Sequence, residues 1–168
     1  MTRGTTILIT DKAVYNSVEF NGDMYLDGNG KEAFNLMTQT WTLKGFAARL
    51  RAFMQANYPH MKEEKIISKH NDIYEPKAFD GRQFIDMGRD YSNRFFSDYL
   101  FIKNLSTEPV VIKTIQGKPS VITLNYGDVV VLHFGAYVTR SSYKIANRAK
   151  IMGHEVTFSR RIPEGRKT

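Results

Sequence analysis

Between residues 42 and 57 the chain reads TLKGFAARLRAFMQAN, and its large apolar side chains recur three and four residues apart. Leu43, Phe46, Leu50, Phe53 and Met54 fall on one stripe, while Lys44, Arg49 and Arg51 take other faces. That is the period of an amphipathic helix with one buried side. The spacing predicts a single helix over 42–57, packed on a sheet. Tyr58-Pro59 ends it, because the residue before a proline is pushed out of helical backbone.

The rest of the chain reads as strand. TTILIT and then AVYNSVEFNGDMYLDGNG give short strands with tight turns at Asn21-Gly22 and Asp27-Gly28, dipeptides that tolerate positive φ. After the helix come KIISKH, RQFIDMG, DYLFIKNL, PVVIKTIQ, PSVITLNY, DVVVLHF, AYVTRSSYKI and HEVTFSRRI. Each is rich in β-branched and aromatic residues, and most are parted by Gly, Pro or Asn. Short strands at this spacing predict a mainly β (α+β) fold of sandwich, barrel or jelly-roll type rather than alternating βαβ units. The chain is read as one domain over 1–168, with an N-terminal hairpin-and-helix region to 56, a strand-rich core over 57–162 and an unstructured PEGRKT tail over 163–168.

Composition changes this picture in three places. With 42% hydrophobic and 24% charged residues the chain can bury a core. It has no apolar run long enough to span a bilayer and no signal-peptide pattern at its start, so a soluble, cytoplasmic protein with no membrane partner is expected. Cysteine is absent, which removes disulfides, zinc–thiolate sites, iron–sulfur clusters and thiol nucleophiles together. Any metal has to be held by histidine and carboxylate.

The net charge is +7 and the pI about 9.6, a balance that favours polyanions such as nucleic acid. The excess is concentrated near the C-terminus, where Arg148, Lys150, Arg160, Arg161, Arg166 and Lys167 stand against Glu155 and Glu164. Lys44 and Arg51 on the predicted helix are a second place where a nucleic-acid strand could be held.

The stretch with the most chemistry in it is SKHNDIYEP, residues 68–76. On a strand end, His70 and Asp72 point to the same side of the pleat. Together they supply an imidazole and a carboxylate, two of the three ligands of the facial triad of non-haem Fe(II) oxygenases. His70-x-Asp72 is followed by Glu75-Pro76, then by RQFIDMG ending in Met87-Gly88, then by Gly127 to Val131, and last by Thr157-Phe158. In this order and spacing the chain resembles the AlkB-like branch of the 2-oxoglutarate- and Fe(II)-dependent dioxygenases, over about residues 57–161.

The resemblance implies a double-stranded β-helix, a form of jelly roll. It implies that His70 and Asp72 bind Fe(II) and that 2-oxoglutarate and oxygen are cosubstrates. The implied activity is hydroxylation or demethylation of a nucleic-acid base. The family's third ligand is a histidine, and the corresponding stretch here reads TRSSYKI, with Tyr143 or Ser141 in its place. Tyr143 as a phenolate ligand, His133 and His154 are the alternatives. For the arginine grip on 2-oxoglutarate, Arg160 or Arg161 stands near the matching position and Arg140 is the candidate for a further guanidinium, since a carboxylate clamp needs a planar fork.

Two other readings stay beside this one. The chain is a catalytically decayed jelly-roll module that binds nucleic acid or a protein partner, or it is a related hydroxylase of a protein or small molecule. Other chemistries have no motif: there is no Gly-x-Ser-x-Gly elbow, no Walker or dinucleotide glycine pattern, and no His-Glu-x-x-His.

Overall fold

In the computed structural model, residues 2–62, 65–70, 97–114, 118–142, 148–151 and 154–157 are described. The chain opens with β1 (Arg3–Ile9), β2 (Val14–Ser17) and the short β3 (Phe20–Asn21). Two helices follow, α1 (Asn29–Thr38) and α2 (Leu43–Asn57), and then β4 (Ile67–His70). The remaining elements are strands: β5 (Tyr99–Asn104), β6 (Val110–Lys113), β7 (Val121–Leu124), β8 (Val129–His133), β9 (Ala136–Ser141), β10 (Arg148–Ile151) and β11 (His154–Thr157).

The main sheet has seven strands in the order β4-β2-β1-β5-β8-β9, with β3 also paired to β1. Its central strands β1, β5 and β8 carry the uninterrupted apolar runs ILI, LFI and VVVL. Such runs suit strands covered on both faces. β1 and β5 pair in parallel, Ile7 opposite Ile102, and the other pairs in this sheet are antiparallel. A parallel pair needs a crossover, and here the described residues between β1 and β5 include α1, α2, β2, β3 and β4.

Alternation across the pleat divides the core. On one face Leu8, Phe101, Val129 and Val131 pack against Phe34 and Met37 of α1 and Phe46, Leu50 and Phe53 of α2. On the other, Ile7, Ile9, Leu100, Ile102, Val130 and Leu132 pack against Val110, Ile112, Ile122 and Leu124 of the β6-β7 hairpin. Helices, sheet and hairpin thus form three layers. Each large side chain buried there contributes roughly 2 kcal/mol of transfer free energy before entropy is counted.

The mainly β class agrees with the sequence, and α2 matches the predicted helix. Thr42 caps it by accepting the Gly45 N–H at 2.9 Å, and Tyr58 ends it. Of its predicted apolar stripe Phe46, Leu50 and Phe53 are buried, Met54 is half-buried, and Leu43 is 39% exposed. Gly22 of the first predicted turn has φ 131°, but the chain bends there from β3 toward α1 and forms no hairpin. Two further local expectations fail. Asp27-Gly28 lies in a turn that joins no strands but leads into α1, a second helix that the pattern did not suggest, and β10 is a strand the pattern did not suggest. Among the described residues, no helix is long and apolar enough to cross a membrane. RQFIDMG and the PEGRKT tail lie outside the described residues.

Candidate functional site

β4 and α2 meet at the end of the sheet path, and a cleft of about 410 Å³ lies between them. Ile67 and Lys69 share the helix side of β4, and Ile66 and Lys65, just before the strand, complete that wall of the cleft. Across the pair, Tyr15 of β2 stands opposite Lys69. From α2, Leu43, Ala47 and Arg51 come at four-residue intervals and line the facing wall.

The result is an apolar and aromatic floor made by Tyr15, Leu43, Ala47, Ile66 and Ile67, rimmed by Arg51, Lys65 and Lys69. Among the described residues that line it, none is acidic. Lys44 is exposed and sits seven residues before Arg51 on the same side of α2, about 10 Å along the axis. Of the residues at this place, the sequence had singled out Arg51 and Lys44. It missed Lys65, Lys69 and Tyr15, although the predicted strand KIISKH carries both lysines.

His70 follows Lys69 on β4, but it faces the other way, opposite Val14 on the hairpin side. Its Nε2 is hydrogen-bonded to Asn16 Oδ1. The Asn16 amide is oriented by its own Nδ2, which donates to the Ser17 carbonyl at 2.7 Å. Asn16 Oδ1 therefore accepts, and Nε2 of His70 carries the proton. A metal bound through Nε2 has to displace this bond.

Asp72, Tyr143, Arg160 and Arg161 lie outside the described residues, and so do the side chains of β10 and β11, His154 among them. Among the described residues, no group of three or more His, Asp or Glu side chains comes together to hold a metal. The described groups at this point are the His70 imidazole of β4 and the Asn16 amide of β2.

The other described candidates are not brought to His70. Strands lie about 4.8 Å apart, so the four steps from β4 to β8 set His133 roughly 19 Å away along the sheet. His133 instead stacks on Tyr99, ring centroids 4.3 Å apart. Arg140, on β9, is one strand farther still. Its Nη2 donates to Asp128 Oδ2 at 2.9 Å and to the Thr123 carbonyl at 2.8 Å. Asp128 also accepts the Asn125 N–H at 3.0 Å. The Gly127-Asp128 pair singled out in the sequence thus closes the turn into β8, and Arg140 pins that turn to β7.

One cation that the sequence did not single out is Lys103, fully buried on β5. Its ammonium donates to the carbonyls of Met37 at 2.8 Å, Thr38 at 3.2 Å and Thr40, where α1 ends. It also lies 3.7 Å from the centre of the Trp41 ring. Desolvation, with Arg49 adding to it and Asp128 opposing it, holds its pKa well below the usual lysine range. Its three donors meet three acceptors, which is a structural arrangement.

Compared with protein-family models, curated proteins and solved structures, the chain matches none of them. The functional reading therefore rests on the chain's own geometry.

Proposed function

We propose that this chain is a nucleic-acid-binding module that holds a phosphate backbone in the cleft between α2 and β4. The observation that carries the reading is the pairing of Arg51, Lys65 and Lys69 around an apolar floor with no acid among the described lining residues. Cations that face solvent beside apolar surface attract phosphates while the floor takes up the flat faces of sugars or bases. The net charge of +7 supplies the same attraction at longer range. In this reading the mainly β core is the jelly roll of an AlkB-like protein that no longer needs iron.

The test is the affinity for a fluorescent oligonucleotide, measured by anisotropy as salt is varied. The logarithm of the binding constant falls linearly with the logarithm of salt concentration, and Arg51→Gln/Lys65→Gln/Lys69→Gln lowers that slope by about one for each phosphate that is no longer neutralised. Binding that ignores salt, or a triple variant that binds like the wild type, would overturn the proposal.

A second reading has one observation in its favour: β4 carries both Lys69 of the cleft and His70 of the His-x-Asp pair. In that reading His70 and Asp72 would hold Fe(II) for a 2-oxoglutarate-dependent oxidation of a base, while the cleft on the other face of β4 holds the nucleic-acid strand. Anaerobic titration with Fe(II) and 2-oxoglutarate tests it. A metal-to-ligand charge-transfer band that is lost in His70→Ala supports it, and no band in the wild type sinks it.

A further inference from the structure

β8 and β9 are joined by a two-residue turn, Phe134-Gly135, closed by the pair His133 and Ala136. Both turn residues have positive φ, 51° at Phe134 and 82° at Gly135. This is the primed hairpin geometry whose first position suits asparagine, aspartate or glycine. A phenylalanine there is strained, because its Cβ crowds the following carbonyl in left-handed backbone. Burial does not offset the strain, since Phe134 is 51% exposed. The turn is held in place all the same: the Phe134 N–H donates to the Asp98 carbonyl at 2.9 Å.

Phe134 is also the outer end of a column of rings. Its centroid is 4.6 Å from His133 at 40°, His133 is 4.3 Å from Tyr99 at 12°, and Tyr99 is 6.4 Å from Phe101 at 29°. Phe101 is fully buried in the helix-side core. The column thus runs from a fixed ring in the core to a half-exposed ring at the hairpin tip. Folding alone does not account for an aromatic residue at that tip, where asparagine would relieve the backbone.

We infer that Phe134, backed by His133 and Tyr99, is a stacking platform for an unpaired base of single-stranded nucleic acid. The inference rests on the nucleic-acid reading above and deepens it by naming the form of the ligand. A single half-exposed ring is far short of the roughly 1,000 Å² that a stable protein interface buries. It is the right size for one base, and stacking on an aromatic ring is open to every base because each has a π face.

The experiment compares the full chain with Phe134→Asn and Phe134→Tyr. Binding is measured to a single-stranded oligonucleotide carrying 2-aminopurine and to the duplex of the same sequence. Asparagine is the residue that the turn geometry favours, so Phe134→Asn melts no lower than the wild type and separates stacking from folding. It should weaken single-strand binding about tenfold and abolish the change in 2-aminopurine fluorescence, while duplex binding and the salt slope stay as they were. Phe134→Tyr should bind like the wild type.

Single-strand affinity of Phe134→Asn equal to the wild type overturns the platform, and so does a loss shared equally by duplex and single strand. If the wild type binds with a salt slope that the Arg51, Lys65 and Lys69 substitutions reduce, the nucleic-acid reading stands even where the platform falls. A wild type that binds neither ligand overturns both.

Discussion

Lys103 and the lysines of the α2–β4 cleft are the same chemical group in opposite circumstances. Lys103 has no solvent exposure, and every proton of its ammonium has a carbonyl to meet. Lys65 and Lys69 are exposed, and no acid lines their cleft among the described residues. A buried charge persists only where its partners are fixed, so Lys103 serves the end of α1. An exposed charge beside apolar surface costs the fold little, so its placement is open to selection by a ligand. The difference teaches that positive charge by itself says little about function, and that the fate of each donor says more.

The sharpest way to break the comparison is to remove the buried ammonium. Lys103→Met keeps the length of the stem and leaves the carbonyls of Met37, Thr38 and Thr40 without their shared donor. The expected loss is about 3 kcal/mol, or about 6–12 °C in melting temperature for a chain of this size. The cleft substitutions should move stability by no more than about 0.5 kcal/mol. Equal losses at the two places, read by denaturant or thermal unfolding, would erase the distinction. The depressed pKa has a sign as well. Below the unfolded lysine value the unfolded state binds more protons than the folded one, so this group's contribution grows as pH rises toward the unfolded pKa and shrinks as pH falls through the folded one.

Arg140 and Asp128 stand between the two extremes. The arginine side chain is 33% exposed and the carboxylate 3%. Replacing Asp128 by alanine removes an acceptor for both Arg140 and the Asn125 N–H. The arginine can turn to water, whereas the Asn125 amide at the turn loses its side-chain acceptor. The expected cost is about 2 kcal/mol, below that of Lys103→Met. Arg140→Ala should cost less than Asp128→Ala, because it leaves the Asn125 bond in place.

These fates explain what was legible in the sequence. The α2 stripe could be read because its period is local and its ends carry their own signals, Thr42 before it and Tyr58-Pro59 after. α1 was hidden by its glycines. Asp27-Gly28 looked like a hairpin turn, and within the helix a Cβ on Gly30 would lie 2.2 Å from the Met24 carbonyl oxygen. That glycine is there for a close approach of backbone, which no local pattern reveals. The parallel pairing of β1 with β5 joins strands far apart in sequence, and the apolar runs of both say only that they are buried. Of the site, Arg51 and Lys44 were visible as exposed charges on a helix face. Lys65, Lys69 and Tyr15 joined them only once β4 was laid beside β2. Arg140 looked like a ligand clamp because a guanidinium fork suits any carboxylate, and in the fold one oxygen of Asp128 accepts from it.

The smallest expected effect concerns an acid that is only half withdrawn from water. Glu19, at the opposite end of β2 from the His70 pairing, accepts from Ser97 Oγ at 2.8 Å, and Ser97 in turn is 2.5 Å from Thr5 Oγ1. Desolvation raises its pKa above the usual carboxylate value, against the Ser97 bond and Arg3, which lower it; Asp98 adds to the rise. Between the unfolded and folded values the folded state holds the proton more often, so this group's contribution falls as pH rises through that window. Glu19→Gln keeps an acceptor for Ser97 and cannot ionise. The variant should therefore lose less stability than the wild type between mildly acidic and neutral pH, a difference read from denaturant midpoints at the two pH values. An identical pH dependence in the two proteins would mean that Glu19 is as well solvated folded as unfolded, and would place it with the cleft's open charges rather than with Lys103.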